Sequence, residues 1–314
     1  MYKGLVIGCG SIGAEYDFNN DKIQTHAKAM ALHPEISLCV ADIDLDKAAQ
    51  VAKKYDAAYL TVIDDTKLAE FDIVSVCVAT KYHFEYLQRL SRLNIPFIIC
   101  EKPVVSSLAE ISALHSLQLD PDRILVNYIR RFQPGFALLK NRLSELLSNK
   151  ENNIQHLVVR YQRGFLNNCS HALDLLSFLL DTPIKLEHVG ILKYEYDAFP
   201  TDPTLTLQAL FNNIPLSLLG FPNSGYSIFE IDIFTKRNKI SITDSGNCVK
   251  YFGTNEDGRL VENPALLQEN ILEDYMKVVM AEALTCLTSQ KKTNFASALS
   301  LNEQMLHTLQ LLQK

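Results

Sequence analysis

Lys3-Gly4-Leu5-Val6-Ile7-Gly8-Cys9-Gly10-Ser11-Ile12-Gly13 opens the chain and decides how its first half is read. Residues 2–7 form a short, nearly continuous apolar run, the pattern of a strand buried on both faces. The glycine pattern Gly8-x-Gly10-x-x-Gly13 follows at once. In a strand–turn–helix corner the first glycine permits the tight turn and the second lets the backbone approach a pyrophosphate. The third allows close helix packing, and the leading amides of the helix face the anion. A corner that merely joins a strand to a helix also uses glycine, so the weight comes from its place directly after the first strand.

Working outward, residues 37–41, 73–78, 97–100 and 124–127 repeat the short apolar run. Residues 27–32, 46–55, 84–93 and 108–117 have helical spacing between them. Strand–helix alternation of this kind predicts a doubly wound parallel α/β sheet. The pattern then changes. Residues 136–147 read as a helix, 154–161 as a strand and 170–180 as a helix. Strand candidates between 184 and 252 are separated by Asn212-Asn213, Pro222-Asn223-Ser224-Gly225, Arg237-Asn238 and Ser245-Gly246-Asn247. Short turns between closely spaced strands predict a large, mostly antiparallel open sheet in an α+β domain. Helices over about 265–287 and 295–312 close the chain. The expected division is 1–123 and 124–314, with the boundary near 122–128 and no flexible linker.

The 314 residues suit two domains at about 150 each. Hydrophobic residues make up 47% and charged residues 21%, so most of the chain should fold into cores. Thirty Lys and Arg against 36 Asp and Glu leave a net charge of −6, without the broad basic face that grips nucleic acid. No apolar run approaches the roughly 18 residues of a membrane span. The first strand begins at the N-terminus, so no signal peptide is expected. Seven cysteines, odd in number and widely spaced, include no CxxC pair, so no metal site is expected. They read as reduced thiols of a cytoplasmic protein, and Cys169 lacks an evident base to activate it.

Val40-Ala41-Asp42 ends the second strand, where an acidic side chain can accept hydrogen bonds from both adenosine ribose hydroxyls and repel a 2′-phosphate. No Arg follows closely, so NAD is favoured over NADP. Asp44 or Asp46 suits the cap of the following helix better than Asp42 does. Pro96-Phe97-Ile98-Ile99-Cys100 runs into Glu101-Lys102-Pro103. Strand C-terminal ends face the ligand crevice of an open α/β sheet, which places Lys102 toward a nicotinamide. An isolated lysine in such a place is more often a solvated surface residue.

Two further stretches count against that plainer reading of Lys102. One is Val78-Ala79-Thr80-Lys81-Tyr82-His83; the other is Ser170-His171-Ala172-Leu173-Asp174. With the glycine turn, Glu101-Lys102-Pro103 and Tyr128-Ile129-Arg130-Arg131-Phe132-Gln133-Pro134, the sequence resembles the glucose–fructose oxidoreductase/inositol dehydrogenase family, written Gfo/Idh/MocA, over nearly its whole length. The resemblance implies an N-terminal Rossmann domain and a C-terminal substrate-binding and oligomerisation domain with a large open sheet. It implies NAD(P)-dependent hydride transfer at a hydroxyl-bearing carbon of a sugar, cyclitol or nucleotide-sugar. Carried over by position, it makes Lys102 and His171 catalytic. It gives Gly8, Gly10, Ser11, Ile12, Gly13, Asp42, Thr80, His83, Glu101 and Lys102 to the cofactor, and Tyr128, Arg131, Asn167, Asn168, His171 and Asp174 to substrate.

The sequence departs from the family in three places. Asn167 stands where an Asp is common four residues before the helix His, and an amide carries no proton or charge. The motif at the end of the 73–78 run reads Val78-Ala79-Thr80 rather than being Thr-Pro-rich. Residues 14–24 are inserted between the glycine turn and Thr25-His26-Ala27, as a surface loop or a substrate lid.

His171, an imidazole with an ordinary pKa of about 6.5, reads as the general base. Lys102, as a cation, reads as the group that stabilises the developing alkoxide or polarises a carbonyl in reverse. The two residues belong to different domains and can meet only across the cleft between them. Asp174, one turn after His171, orients the imidazole, binds substrate or stabilises its helix. His26, His33, His115, His156, His188 and His307 read as structural or exposed. Leu205, Leu207, Leu210, Leu216, Leu218 and Leu219 exceed what one chain's helices can cover, which predicts a homodimer or homotetramer. The rival readings are a non-catalytic NAD-binding regulator on the same fold and a reductase of a non-sugar substrate.

Overall fold

Leu5, Val6 and Ile7 are sealed from solvent in the computed structural model, which describes residues 1–117 and 119–313. They lie on β1 (Tyr2–Ile7), flanked by β2 (Ile36–Ala41) and β4 (Ile73–Val76). With β3 (Ala58–Leu60), β5 (Phe97–Cys100) and β6 (Ile124–Val126) they make a six-stranded sheet of order β3-β2-β1-β4-β5-β6. Every pairing in it is parallel. The helices are α1 (His26–Ala31), α2 (Leu45–Tyr55), α3 (Asp65–Leu68), α4 (His83–Arg92) and α5 (Leu108–Ser116). Asp44 caps α2, accepting from Asp46 N at 3.1 Å and Lys47 N at 3.2 Å, which leaves Asp42 outside that role. The strand β3 has largely exposed side chains and forms no apolar run, so the sequence pattern does not mark it.

The glycine turn leads into a five-residue π-helical turn, Ser11–Glu15, and regular helix resumes only at His26. The intervening insertion is pinned to its own unit. Asp17 is fully buried and accepts from Gln24 N (2.6 Å), Thr25 N (2.8 Å) and Thr25 Oγ1 (2.8 Å). The Lys54 ammonium sits 4.2 Å from the Phe18 ring centre. Ile23 N donates to Asp274 Oδ1 at 2.8 Å, and Met276 N donates to Ile23 O at 3.2 Å. Asp274 and Met276 lie at the start of α8 (Tyr275–Ser289), which belongs to the same compact unit.

That unit comprises Met1–Ile129 with Glu273–Leu299, and the other comprises Arg130–Leu272 with Ser300–Lys314. The single cut expected near 122–128 therefore misses a returning segment. Its anchor is Asn294, which accepts from Val126 N at 2.9 Å and donates to Val126 O at 2.8 Å. Thr293 Oγ1 donates to Ile124 O at 2.6 Å. These contacts occupy the open edge of β6, which otherwise presents unpaired backbone groups.

The second unit carries α6 (Pro134–Ser148), α7 (Ser170–Leu179) and an eight-stranded sheet. Its strands are β7 (Ile154–Tyr161), β8 (Leu186–Glu195), β9 (Thr204–Phe211), β10 (Ile214–Gly220), β11 (Phe229–Thr235), β12 (Asn238–Thr243), β13 (Cys248–Thr254) and β14 (Leu260–Glu262). The order is β14-β13-β12-β11-β7-β10-β9-β8, antiparallel throughout except for the β7–β10 pair. Asn212 and Asn213 turn the β9–β10 hairpin with φ of 50° and 67°, the conformation a two-residue turn demands. The helix expected over 265–287 begins only at Tyr275. Asn247 Oδ1 accepts from Leu272 N at 3.0 Å and Gln268 pairs with Val249, so tertiary bonds hold the preceding stretch out of helix. α9 (Phe295–Gln310) closes the chain as expected.

The crowded-leucine argument for assembly fails for most of its residues. Leu205, Leu207, Leu216 and Leu218 are fully buried within this one chain, and Leu210 and Leu219 are half-buried. They alternate onto the face that packs inward. Exposed apolar surface lies instead around the edge strand β8, at Leu192, Tyr194 and Tyr196, with Leu311 also exposed. All seven cysteines are free thiols. No helix among the described residues is long and apolar enough to cross a membrane.

Candidate active site

In the first unit β1, β4 and β5 are neighbours running in one direction, so the segments that follow them leave from the same edge. The glycine turn follows β1, Thr80 opens a short helical turn after β4, and Lys102 follows β5. Chain order switches direction between β1 and β4, the place where ligands bind in open α/β sheets.

The three glycines have different reasons to be there. Gly8 has φ +99°, and a Cβ on it would lie 2.8 Å from the Cys77 carbonyl carbon. A Cβ on Gly13 would sit 1.9 Å from Gly8 O. Both are demanded by the protein's own backbone. A Cβ on Gly10 would meet nothing within 4 Å. Its bare face opens on empty space, which is the cradle a pyrophosphate requires, and Ser11, Ile12 and Gly13 lead the helical turn beside it. Asp42 Oδ2 accepts from Cys9 N at 2.6 Å, and Oδ1 accepts from Asp44 N at 2.8 Å. Each carboxylate oxygen keeps a second lone pair for a ribose hydroxyl. The residues present therefore fit a dinucleotide at this corner.

Glu101 is buried and held by hydrogen bonds from within the fold. Its Oε1 accepts from His26 Nε2 at 2.9 Å and from Asn127 Nδ2 at 2.6 Å, and its Oε2 accepts from Lys102 N at 3.3 Å. Burial pushes this carboxyl upward, but the His26 bond and charge, Asn127 and the Lys102 charge outweigh it and hold it below the ordinary range. The other ring nitrogen, His26 Nδ1, lies 3.1 Å from Ser75 Oγ. A chain Ser75–His26–Glu101–Asn127 thus fixes the backbone from which Lys102 projects. His26 and Asn127 had no sequence signal for this role, being 75 and 26 positions from Glu101.

His83 and Tyr128 are also buried. His83 is buried, with Nδ1 2.9 Å from Pro103 O and Nε2 2.9 Å from Val78 O. Desolvation lowers its pKa, against the pull of the two carbonyls. Both ring nitrogens face main chain, so His83 clamps the segments after β4 and β5. Tyr128 is 1% exposed.

In the second unit Gly164, Asp202 and α7 arrange the substrate-side candidates. Asp202 Oδ1 accepts from Leu166 N and Oδ2 from Asn167 N, both at 2.8 Å. It pins the π-helical turn Phe165–Cys169 that leads into α7. Gly164 has φ +87°, and a Cβ there would lie 2.2 Å from Asp202 Oδ2, so only glycine admits this cap. Asn167 Nδ2 donates to Arg163 O at 3.1 Å and Asn168 Nδ2 to Gln162 O at 2.8 Å, so both amides are engaged within their own turn. His171, on the first turn of α7, is half-buried. Asp174 lies one turn on, 2.8 Å from Arg131 Nη1. Burial raises its carboxyl to about 6, while Arg131 opposes the rise. Cys169 is buried and its thiol is held well above its ordinary pKa by desolvation first, so it stays protonated. Among the described residues no cluster of three or more His, Cys, Asp or Glu could hold a metal ion.

Residues 2–127 match the profile described as an oxidoreductase family with an NAD-binding Rossmann fold. A myo-inositol dehydrogenase from Streptomyces leeuwenhoekii is 30% identical over 139 residues, which is 44% of this chain and 39% of that protein. The matched stretches span 39% to 53% of the curated relatives' own lengths. Among solved structures, a UDP-N-acetylglucosamine 3-dehydrogenase from Acidithiobacillus ferrooxidans superposes with a TM-score of 0.75 at 18% identity, covering 98% of this chain and 96% of the other. A 3-ketoreductase from Actinomadura kijaniata, solved with NADP and TDP-benzene, gives 0.76 at 11% identity, covering 99% and 97%. These likenesses extend the fold over both units. Over residues 2–127, the chain is similar to the Gfo/Idh/MocA oxidoreductase family with its NAD-binding Rossmann fold.

Proposed function

We propose that this protein is an NAD-dependent oxidoreductase that transfers hydride at a hydroxyl-bearing carbon of a sugar, cyclitol or nucleotide-sugar. The observation that carries the reading is Lys102, set directly after β5 on a backbone locked by the buried Glu101. When bound, the nicotinamide supplies the hydride chemistry. Lys102 presents an ammonium to the reacting oxygen, stabilising a developing alkoxide or polarising a carbonyl in the reverse direction. His171 takes the hydroxyl proton as general base. Arg131 and Asp174, joined as a pair, orient the imidazole or hold a substrate hydroxyl, and Asn167 and Asn168 border the same helix. Thr80 flanks the cofactor, and Asp42 selects NAD by accepting from the ribose hydroxyls.

The substrate class rests on the company the chain keeps: relatives named for inositol, a nucleotide-sugar and a 3-keto group. A homodimer or homotetramer remains part of the reading, now supported by the exposed side chains around β8, and light scattering at micromolar concentration tests it. The regulator reading draws on one feature, Asn167, whose amide bonds Arg163 O and offers no acid. NAD-dependent turnover against a panel of sugars, cyclitols and nucleotide-sugars separates the two. Turnover of a panel member supports the enzyme. NAD binding with no turnover of any member favours the regulator or a non-sugar reductase.

A further inference from the structure

Two elements meet at the corner where the adenosine ribose is read. Glu15 ends the helical turn that follows the glycines, and Lys47 lies in the first turn of α2, just beyond Asp42. Their side chains form an ion pair, Lys47 Nζ to Glu15 Oε1 at 2.9 Å, with each about half exposed. The hydrogen bond and charge of Glu15 raise the Lys47 ammonium's pKa most, with Asp42 and Asp44 adding to it. Cys9, inside the glycine turn, reports the same cluster. Burial first, and then Asp42, push its thiol up to about 12; Lys47 opposes the rise and Glu15 adds to it. Three carboxylates and one ammonium therefore surround the ribose end of the turn.

We propose that the Glu15–Lys47 pair is a second cofactor-selectivity element, in which Glu15 occupies the ammonium that a 2′-phosphate would otherwise recruit. This rests on reading the glycine turn and Asp42 as the dinucleotide cradle. A lysine is a flexible point charge and a competent phosphate ligand. In this protein it reaches a 2′-phosphate only by leaving Glu15, whose bared carboxylate then faces the same phosphate beside Asp42. NAD carries no charge at that position and is indifferent to the pair. An exposed ion pair is weak, so the element contributes a few-fold in affinity, not orders of magnitude.

Fluorescence titration of NADH and NADPH against the full chain tests this without turnover. Glu15→Gln should tighten NADPH roughly three- to ten-fold and leave NADH within about two-fold. In an Asp42→Ser background, with the principal repulsion gone, the same change should gain at least as much. Glu15→Gln with Lys47→Ala should lose the gain. A Glu15→Gln effect equal for both cofactors, or one that survives Lys47→Ala, overturns the proposal. Asp42→Ser decides a separate matter: an unchanged NADH-to-NADPH ratio removes Asp42 from the ribose without touching the Lys47 result. If the unmodified chain binds neither dinucleotide, the cradle and this inference fall together.

Discussion

Arg131 and Asp174 form an ion pair at 2.8 Å, largely removed from water, in which the second carboxylate oxygen of Asp174 is buried and, among the described residues, accepts no hydrogen bond. One good partner does not offset the desolvation of a carboxylate, so the group is harder to ionise in the folded protein than in the unfolded chain. This makes it a stored instability at neutral pH and a pH-dependent one.

The sign follows from linkage. The folded pKa of about 6 lies above the ordinary value near 3.8, so the folded state binds the proton more tightly. Stability from this group is complete below pH 4 and is lost as pH rises through 6. The loss is on the order of 3 kcal/mol at most. Asp174→Asn removes this dependence. Urea unfolding of both proteins from pH 4 to 7 should show the variant gaining on the parent up to about pH 6 and holding level above it. A constant difference across that range would refute the assignment.

Lys102→Ala and His171→Ala should each lower kcat by roughly 100- to 10,000-fold on a substrate that the protein is shown to turn over. NAD affinity should survive His171→Ala and weaken slightly in Lys102→Ala, whose residue adjoins the cofactor cradle. Near-parental turnover by Lys102→Ala would remove Lys102 from the catalytic machinery.

His26→Ala strikes the support beneath Lys102. It deprives a buried carboxylate of its imidazole donor and Ser75 of its ring partner, and opens a cavity. A loss of about 2–4 kcal/mol is expected, read as a fall in Tm by differential scanning calorimetry. His26→Gln, which retains a donor, should recover part of it. A melting temperature unchanged in the Ala variant would mean that the network is dispensable.

The insertion of residues 14–24 hangs on Asp17, so Asp17→Ala should free it. Three backbone and hydroxyl donors lose their acceptor, and the loss should be about 2–3 kcal/mol. If the segment also acts as a lid, deleting Asn19-Asn20-Asp21 raises the substrate KM more than the NAD Kd. Equal or absent changes return it to the role of a pinned surface loop.

Much of the architecture is written in short-range pattern. Buried parallel strands must be apolar on both faces, and hairpin turns need residues that accept positive φ, as Asn212 and Asn213 do. The glycine corner, the Asp44 cap and the place of Lys102 at a strand end are legible for the same reason: each depends on neighbours a few residues away. The edge strand Ala58–Leu60 left no trace, because a strand with exposed side chains needs no apolar run. Residues 267–274 kept helical spacing but lost their helix to bonds from Asn247 and Val249.

The roles of buried polar groups are a different matter. Glu101, His83 and Tyr128 sit in motifs that suggest ligand contact, and each is buried. Glu101 finds His26 and Asn127, His83 finds two carbonyls, and Asp202 finds the turn below Asn167. A buried polar atom takes whichever donor or acceptor the packed fold brings within about 3 Å, because leaving it unpaired is expensive. That partner is chosen by strand order and helix packing across tens of residues, so local spacing placed these residues near a site, and long-range packing assigned their partners.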